Sequence, residues 1–400
     1  MAVKNCIGLD VGTKFLKAVQ IASRGKGRYV ITQFAKSPFN PDAPVSDQIR
    51  DLLNTRAFNA PVIITSVAGK NVFVRHHVMN AVGDSKELRE SIKYEIGKFI
   101  PIQDVSELVY DCHALEELPP NEKGEKELRV LIAGTRRPHL DTVLSTLEGA
   151  GVIPDVVDVD ACALGNAFWL QALVSPGAAE MKSTIALVDL GASKVNVHII
   201  RGFGSYFARE SYKGGDDITD AISKRFALDP QQAEKMKVNP GDNLLTVLES
   251  IETVVYDICN DIRSSIDYFE AQYEVPVDEI YITGGAANTA GLSEGLEKVC
   301  QKRVTKWRPA EIIPRELTPD AETDIRESFD QATISLGLAA RLAEDEFSED
   351  LKGKLAAVPS SSSDSSPMIW IPDQEPSQGQ GQSQTQTQPP PPEEGEKPAE

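Results

Sequence analysis

The feature that most restricts the fold of this chain is a short pattern written twice. Ile7 to Phe15 reads I-G-L-D-V-G-T-K-F, and Ala186 to Val195 reads A-L-V-D-L-G-A-S-K-V. Each is an apolar run that ends in Asp, passes one apolar residue, a Gly and a small or hydroxylated residue, and enters a second apolar run. Strand-forming runs joined by turn residues predict a β-hairpin. The Gly lets backbone N–H groups approach an oxyanion closely, and Thr13 and Ser193 add hydroxyl donors. Asp10 and Asp189 end their strands where a hydrated Mg²⁺ bridging phosphates would be held, because Mg²⁺ takes few carboxylates and keeps its waters. One copy alone is equally an ordinary Asp-x-Gly turn. Two copies predict two similar domains facing one phosphate-bearing ligand.

A third element strengthens that reading. Glu279 to Gly291 reads E-I-Y-I-T-G-G-A-A-N-T-A-G, a buried strand running into Gly284 and Gly285, with a helix opening near Leu292. Such a turn lets a flat base or ribose lie against backbone. Between the second hairpin and this loop, Gly214 and Gly215 precede a helix carrying Ile218, Ile222 and Phe226. Asp216 can cap that helix, and its N-terminus is a candidate oxyanion site. Glu234 and Lys237 fall one turn apart on the next helix, a spacing that by itself fits a surface ion pair.

The order phosphate loop, phosphate loop, adenosine loop resembles the actin, Hsp70 and sugar kinase superfamily of ATP-binding proteins, over roughly Lys4 to Leu342. Within it, A-R-E-S-Y-K-G-G-D-D-I-T-D-A-I and Q-Q-A-E-K-M-K, between Ala208 and Lys237, together with Y-E-I-G-K-F-I-P-I-Q at Tyr94 to Gln103, look like the PilM family. These are cytoplasmic actin-like proteins of type IV pilus assembly. The division protein FtsA shares the first pattern and less of the second.

The resemblance implies an α/β, actin-like (ribonuclease H-like) pair of duplicated domains with an inserted small subdomain of the FtsA/PilM type. The expected division is 1–71 with 152–183, an insert over 72–151, a second half over 184–342 and a tail over 343–400. It implies Mg-ATP in the interdomain cleft. Asp10, Gly12, Thr13, Lys14, Asp189, Gly191, Ala192 and Ser193 face the phosphates, with Asp10 and Asp189 holding Mg²⁺ through water. Gly214 and Gly215 follow at the helix start, Glu234 and Lys237 lie beside adenine and ribose, and Gly284 and Gly285 form the adenosine loop. The implied partner is the cytoplasmic N-terminal segment of a PilN-like inner-membrane protein, received in a groove beside the insert. That contact would recruit a cytoplasmic protein to the inner face of the inner membrane.

Two departures stand out. Ala192 and Ser193 occupy the place where relatives often carry a Thr, and the long tail is unusual for the family. Hydrolysis needs a group that orients the attacking water. Asp160, at the start of the first connecting helix, is a candidate on position alone. No segment matches the catalytic Glu or Gln of faster actin-like ATPases, so the expectation is a slow ATPase at most, acting as a nucleotide-dependent switch. A small-molecule kinase of the sugar kinase superfamily is the enzyme alternative; it would add a polar sugar pocket and a catalytic Asp loop, and no segment matches that loop. An FtsA-like division protein or a type II secretion scaffold would continue into an amphipathic or transmembrane helix, and the final P-P-P-P-E-E-G-E-K-P-A-E is neither.

Periodicity places the rest. In the insert, Ile92, Ile96, Phe99 and Ile100 share one helix face before Pro101 stops the helix. Ala163, Leu164, Ala167 and Phe168 form a small-residue stripe after a strand at Val156 to Val159. A long helix is expected from Leu244 to Tyr273, a Pro-rich crossing from Trp307 to Pro319, and a last helix from Ala332 to Arg341.

Composition narrows the partners. With 60 acidic against 41 basic residues the net charge is −19, which disfavours binding to nucleic acid or anionic lipid. No window approaches the roughly 20 apolar residues of a membrane span, and the start carries no apolar signal segment. Cys6, Cys112, Cys162, Cys259 and Cys300 are scattered, as reduced core thiols are. His76 and His77 are adjacent and point to opposite faces of a strand, so they cannot share a metal. From Glu344 the chain is acidic and rich in Ser, Pro and Gln, the composition of disorder. Within it P-M-I-W-I-P, centred on Trp370, is a candidate docking motif or a segment that folds back on its own surface.

Overall fold

β-branched and aliphatic residues carry the chain out along β1 (Asn5–Val11), back along β2 (Phe15–Ser23) and out again along β3 (Tyr29–Pro38). Gly12 closes the first turn: its N–H donates to the Phe15 carbonyl at 3.2 Å, and a Cβ there would lie 2.8 Å from the same oxygen. α1 (Val45–Asn54) returns with Ile49 and Leu52 buried, and β4 (Val62–Val67) joins parallel to β1. This computed structural model describes residues 5–83, 85–99, 105–175, 183–202 and 204–343. The Phe99 side chain, Ile100, Pro101 and the whole tail with Trp370 lie outside the described residues.

The insert then forms its own small sheet. β5 (Val72–Asn80), α2 (Ser85–Phe99), β6 (Leu108–Leu118) and β7 (Glu127–Arg136) give an antiparallel sheet of order β5-β7-β6. Leu88, Ile92 and Ile96 of α2 are buried with Phe73, Val130 and Ile132 of the sheet. α3 (Arg137–Gly149) leads to β8 (Val156–Val159), which completes a five-stranded sheet of order β3-β2-β1-β4-β8. α4 (Asp160–Val174) follows directly.

The second half repeats the plan. β9 (Thr184–Leu190), β10 (Val195–Arg201) and β11 (Gly204–Ser211) precede α5 (Gly215–Phe226), α6 (Pro230–Val238) and the long α7 (Leu244–Tyr273). β12 (Glu279–Thr283), α8 (Leu292–Cys300) and β13 (Arg303–Lys306) complete the order β11-β10-β9-β12-β13, strand for strand that of the first sheet. Ile251, Val255, Ile258, Ile262 and Phe269 of α7 fill the core behind it.

The Pro-rich crossing is more ordered than expected, since it contains α9 (Pro309–Ile312) and runs into α10 (Pro319–Arg326). In both, Pro occupies the first helical turn, where its missing N–H costs nothing. The last helix is shorter than expected: α11 (Thr333–Ala339) gives way to a 3₁₀ turn at Ala340–Ala343. Its small residues permit backbone contact. A Cβ on Gly337 would fall 1.8 Å from the Ala163 carbonyl of α4, and one on Gly8 would fall 2.0 Å from the Ser335 carbonyl. Beyond α11, Arg341 pairs with buried Asp158 at 2.9 Å.

The insert is tied to the second half by polar contacts. His76 Nε2 of β5 and His198 Nε2 of β10 each lie 2.8 Å from Ser205 Oγ of β11. A hydroxyl has one proton, so one ring accepts it while the other donates. Arg129 of β7 stacks over Tyr206 at 4.3 Å and Tyr273 at 5.0 Å, and pairs with Glu116 at 2.8 Å. Burial pushes the His198 pKa down to about 4, so neutral His198 stabilises the fold fully above its unfolded pKa near 6.5, and this stability is lost as pH falls toward 4. Wild type should therefore lose about 2 kcal/mol more than His198→Gln between pH 7.5 and 4.5, measured by urea unfolding. Equal losses would show that His198 does not titrate between the two states.

Candidate functional site

The two hairpin turns meet across a cleft. Thr13 Oγ1 of the first lies 3.2 Å from Ser193 Oγ of the second, and Lys14 pairs with Asp216 at 3.1 Å. Ser193 thus supplies a hydroxyl at the loop tip although Ala192 precedes it. Behind the turns, antiparallel register sets Lys17 opposite Asp10 and Asn196 opposite Asp189. Both partners lie seven residues after their Asp, across the same turn. Lys17 Nζ sits 2.6 Å from Asp10 Oδ2, and Asn196 Nδ2 donates to Asp189 Oδ2 at 3.3 Å.

Asp160 opens α4 on the same cleft, but both its oxygens are engaged. Ser66 Oγ donates to Oδ1 and Lys194 Nζ to Oδ2, each at 2.6 Å. Lys194 also pairs with Glu210 at 2.6 Å, and Glu210 accepts the Gly69 N–H at 3.0 Å. Asp160 is thereby an ion-pair partner in the cleft wall, each of its oxygens accepting one hydrogen bond.

Three carboxylates, Asp10, Asp160 and Asp189, therefore share a buried space with two ammonium groups. Burial pushes the Asp189 pKa up to about 6, with Lys17 opposing and the neighbouring Asp160 and Asp10 charges adding. Burial also raises the Asp10 pKa, against the pull of Lys17. For both lysines burial works against the charge, yet the carboxylates outweigh it: Asp10 raises the Lys17 pKa, and Asp160 with Glu210 raises that of Lys194. The excess negative charge would favour a bound cation.

The helix start behaves differently from expectation. Gly214 and Gly215 do not offer α5 to an anion, because the Gly215 and Asp216 N–H groups donate to the Gly191 and Ala192 carbonyls at 3.0 and 2.8 Å. Asp217, not Asp216, caps the helix, accepting the Gly214 N–H at 2.8 Å. Gly214 packs under the second turn, where a Cβ would meet the Ala192 carbonyl at 2.5 Å. α5 therefore braces the hairpin.

Lys237 is only 6% exposed. It donates to Glu234 at 2.7 Å, Thr219 Oγ1 at 2.9 Å and the Gly215 carbonyl at 3.1 Å, so the pair is fixed in the cleft wall. Gly284 has φ +93°, and a Cβ on it would fall 2.6 Å from Asp189 Oδ1. Only glycine brings this loop so close to the carboxylate. Every residue expected at the site except Gly214 lines one cavity of about 640 Å³, together with Lys17, which the sequence reading did not single out.

Residues 8–342 match the family described as type IV pilus assembly protein PilM. The chain belongs to the PilM family. A solved structure of a PilM–PilN type IV pilus biogenesis complex superimposes with a TM-score of 0.72 at 24% identity, covering 84% of this chain and 98% of that one. The PilM-family chain thus has the actin-like fold. Cell division protein FtsA of Streptococcus pneumoniae is 24% identical over 208 residues, 46% of this chain, and the match spans less than half, 44%, of that relative. The ethanolamine utilization protein EutJ of Carboxydothermus hydrogenoformans is more distant, at a TM-score of 0.49 and 12% identity over 85% of this chain and 90% of that one.

The buried pair predicts a specific stability pattern. Removing one partner leaves an uncompensated charge, at a cost of about 3 kcal/mol or more. Lys17→Met should be destabilised by that amount in urea unfolding at pH 7.5, and adding Asp10→Asn should restore most of it. Additive losses in the double variant would contradict the pairing.

Proposed function

We propose that this PilM-family protein binds Mg-ATP between its two hairpins and docks a short segment of a PilN-like inner-membrane protein beside its insert. The observation that carries the nucleotide part is the surplus of buried carboxylate around Asp10 and Asp189, facing hydroxyl-bearing glycine turns. Asp10 and Asp189 would hold Mg²⁺ through its waters, and the metal would neutralise phosphate charge. Thr13 and Ser193 would donate to phosphate oxygens, and Lys17 would exchange Asp10 for phosphate. Glu234 and Lys237 would face the ribose and Gly284 and Gly285 the adenosine. Asp160, held by Ser66 and Lys194, fits a switch with slow hydrolysis.

For the partner, β6 and β8 are each, among the described residues, an edge strand unpaired on one side. Between them lies a cavity of about 40 Å³, lined by Val109, Tyr110, Leu140 and Val157. That is room for one apolar anchor, with the peptide laid along a strand edge. Among the described residues no helix is long and apolar enough to cross a membrane, so membrane recruitment is assigned to this partner.

Calorimetric titration of the full chain tests both parts. Mg-ATP should bind wild type, and Asp10→Ala should weaken it by about tenfold or more, near 1.4 kcal/mol. Tyr110→Ala should weaken a PilN-type N-terminal peptide while leaving Mg-ATP unchanged. Peptide binding without nucleotide binding would remove the first half of the reading, and the converse would remove the second.

A further inference from the structure

A second and larger groove lies elsewhere on the insert. Among the described residues β5 and β11 are each the outermost strand of their own sheets, paired on one side, and both line a cavity of about 540 Å³. Tyr206, Phe207, Tyr268 and Tyr273 give it aromatic walls. Where the groove meets the nucleotide cleft, Asp160 and Tyr212 line both cavities.

The charge of its rim is out of keeping with the rest of the chain. Lys70, Arg75 and Arg209 are exposed on the groove, and among the described residues none of them pairs with a carboxylate. Arg75 donates to its neighbouring Val74 carbonyl, and Lys70 lies 5.4 Å from the Tyr212 ring centre. The carboxylates that also line the groove, Asp160 and Glu210, are both held by Lys194. In a chain with 60 acidic and 41 basic residues, three exposed cations that among the described residues pair with no carboxylate surround one aromatic groove.

The geometry points to a docking site for an extended acidic segment of a separate protein, one that adds a strand along β5 or β11. Strand addition uses the backbone groups that an edge leaves free, and alternate side chains of the added strand then point into the groove and out of it. Inward aromatic or aliphatic side chains would meet the tyrosine wall, and carboxylates would reach Lys70, Arg75 and Arg209 as charge-assisted hydrogen bonds. The concave shape between two strand edges favours a peptide over a flat anionic bilayer. This site does not depend on the nucleotide reading or on the edge of β6.

The test uses the full chain and two fluorescent ten-residue peptides, one alternating Glu and Val with a central Tyr, the other carrying Lys for Glu. In anisotropy titrations at low salt the acidic peptide should bind and the basic one should not. Arg75→Glu with Arg209→Glu, both exposed and so compatible with folding, should weaken the acidic peptide at least tenfold and admit the basic one. Unaltered acidic-peptide binding in that variant, or equal binding of the two peptides to wild type, would overturn the proposal. So would a photocrosslink from benzoylphenylalanine at Phe207 to a segment of the same chain or to a second copy of it.

Discussion

Among the described residues, three buried carboxylates, Asp10, Asp160 and Asp189, line the cleft where the two halves of this protein meet, and the ammonium groups of Lys17 and Lys194 pair with two of them. Asp10 and Asp189 lie near the ends of equivalent strands, and both line the one cleft. Asp160 begins α4 and enters from the side. Buried like charges repel strongly, and the arrangement is tolerable because Lys17 and Lys194 are buried with them at 2.6 Å. Much of the local architecture serves this balance. Gly284 keeps a Cβ away from Asp189, and Asn196 supplies a neutral donor where Lys17 has its charge on the other side.

Lys194 extends the same balance across the molecule. It belongs to the second half, yet it holds Asp160 of the first, and through Glu210 it reaches the Gly69 amide just before the insert. A cation or phosphate entering the cleft changes the field on Lys17 and Lys194 together. Asp160 lines both the cleft between the hairpins and the groove between β5 and β11, so under the proposed binding a charge entering the cleft would act on an ion-pair network that borders both. The histidine and arginine contacts around Ser205 and Tyr206 fix the insert against the half that carries Lys194.

What could be seen in the sequence were features with a strict local pattern. Both hairpins, the buried face of α2 at Ile92 and Ile96, and the stripe along α7 follow from periodicity alone. Lys17 escaped notice because its importance comes from hairpin register, seven residues beyond Asp10, and the nearer Lys14 is the more conspicuous cation. The segment from Trp307 to Pro319 reads only as a Pro-rich crossing, whereas Pro309 and Pro319 start α9 and α10. A cap at Asp216 sets the helix two residues too late; α5 begins at Gly215, after Gly214, and Asp217 reaches back to the Gly214 N–H. Gly214 read as an anion contact because paired glycines before a helix suggest one, but the amides there are spent on the Gly191 and Ala192 carbonyls. The burial of Lys237 depends on Thr219 and Gly215, which spacing within one helix cannot reveal.

The central claim is that the excess carboxylate at the hairpin ends exists to be neutralised by a metal-bound nucleotide. The most direct measurement is a crystal structure of the full chain grown with Mg²⁺ and a non-hydrolysable ATP analogue. The account predicts metal density between Asp10 and Asp189, and Lys17 moved from Asp10 to a phosphate oxygen. Nucleotide bound outside this cleft, or an Asp10–Lys17 pair unchanged beside a bound nucleotide, would contradict it.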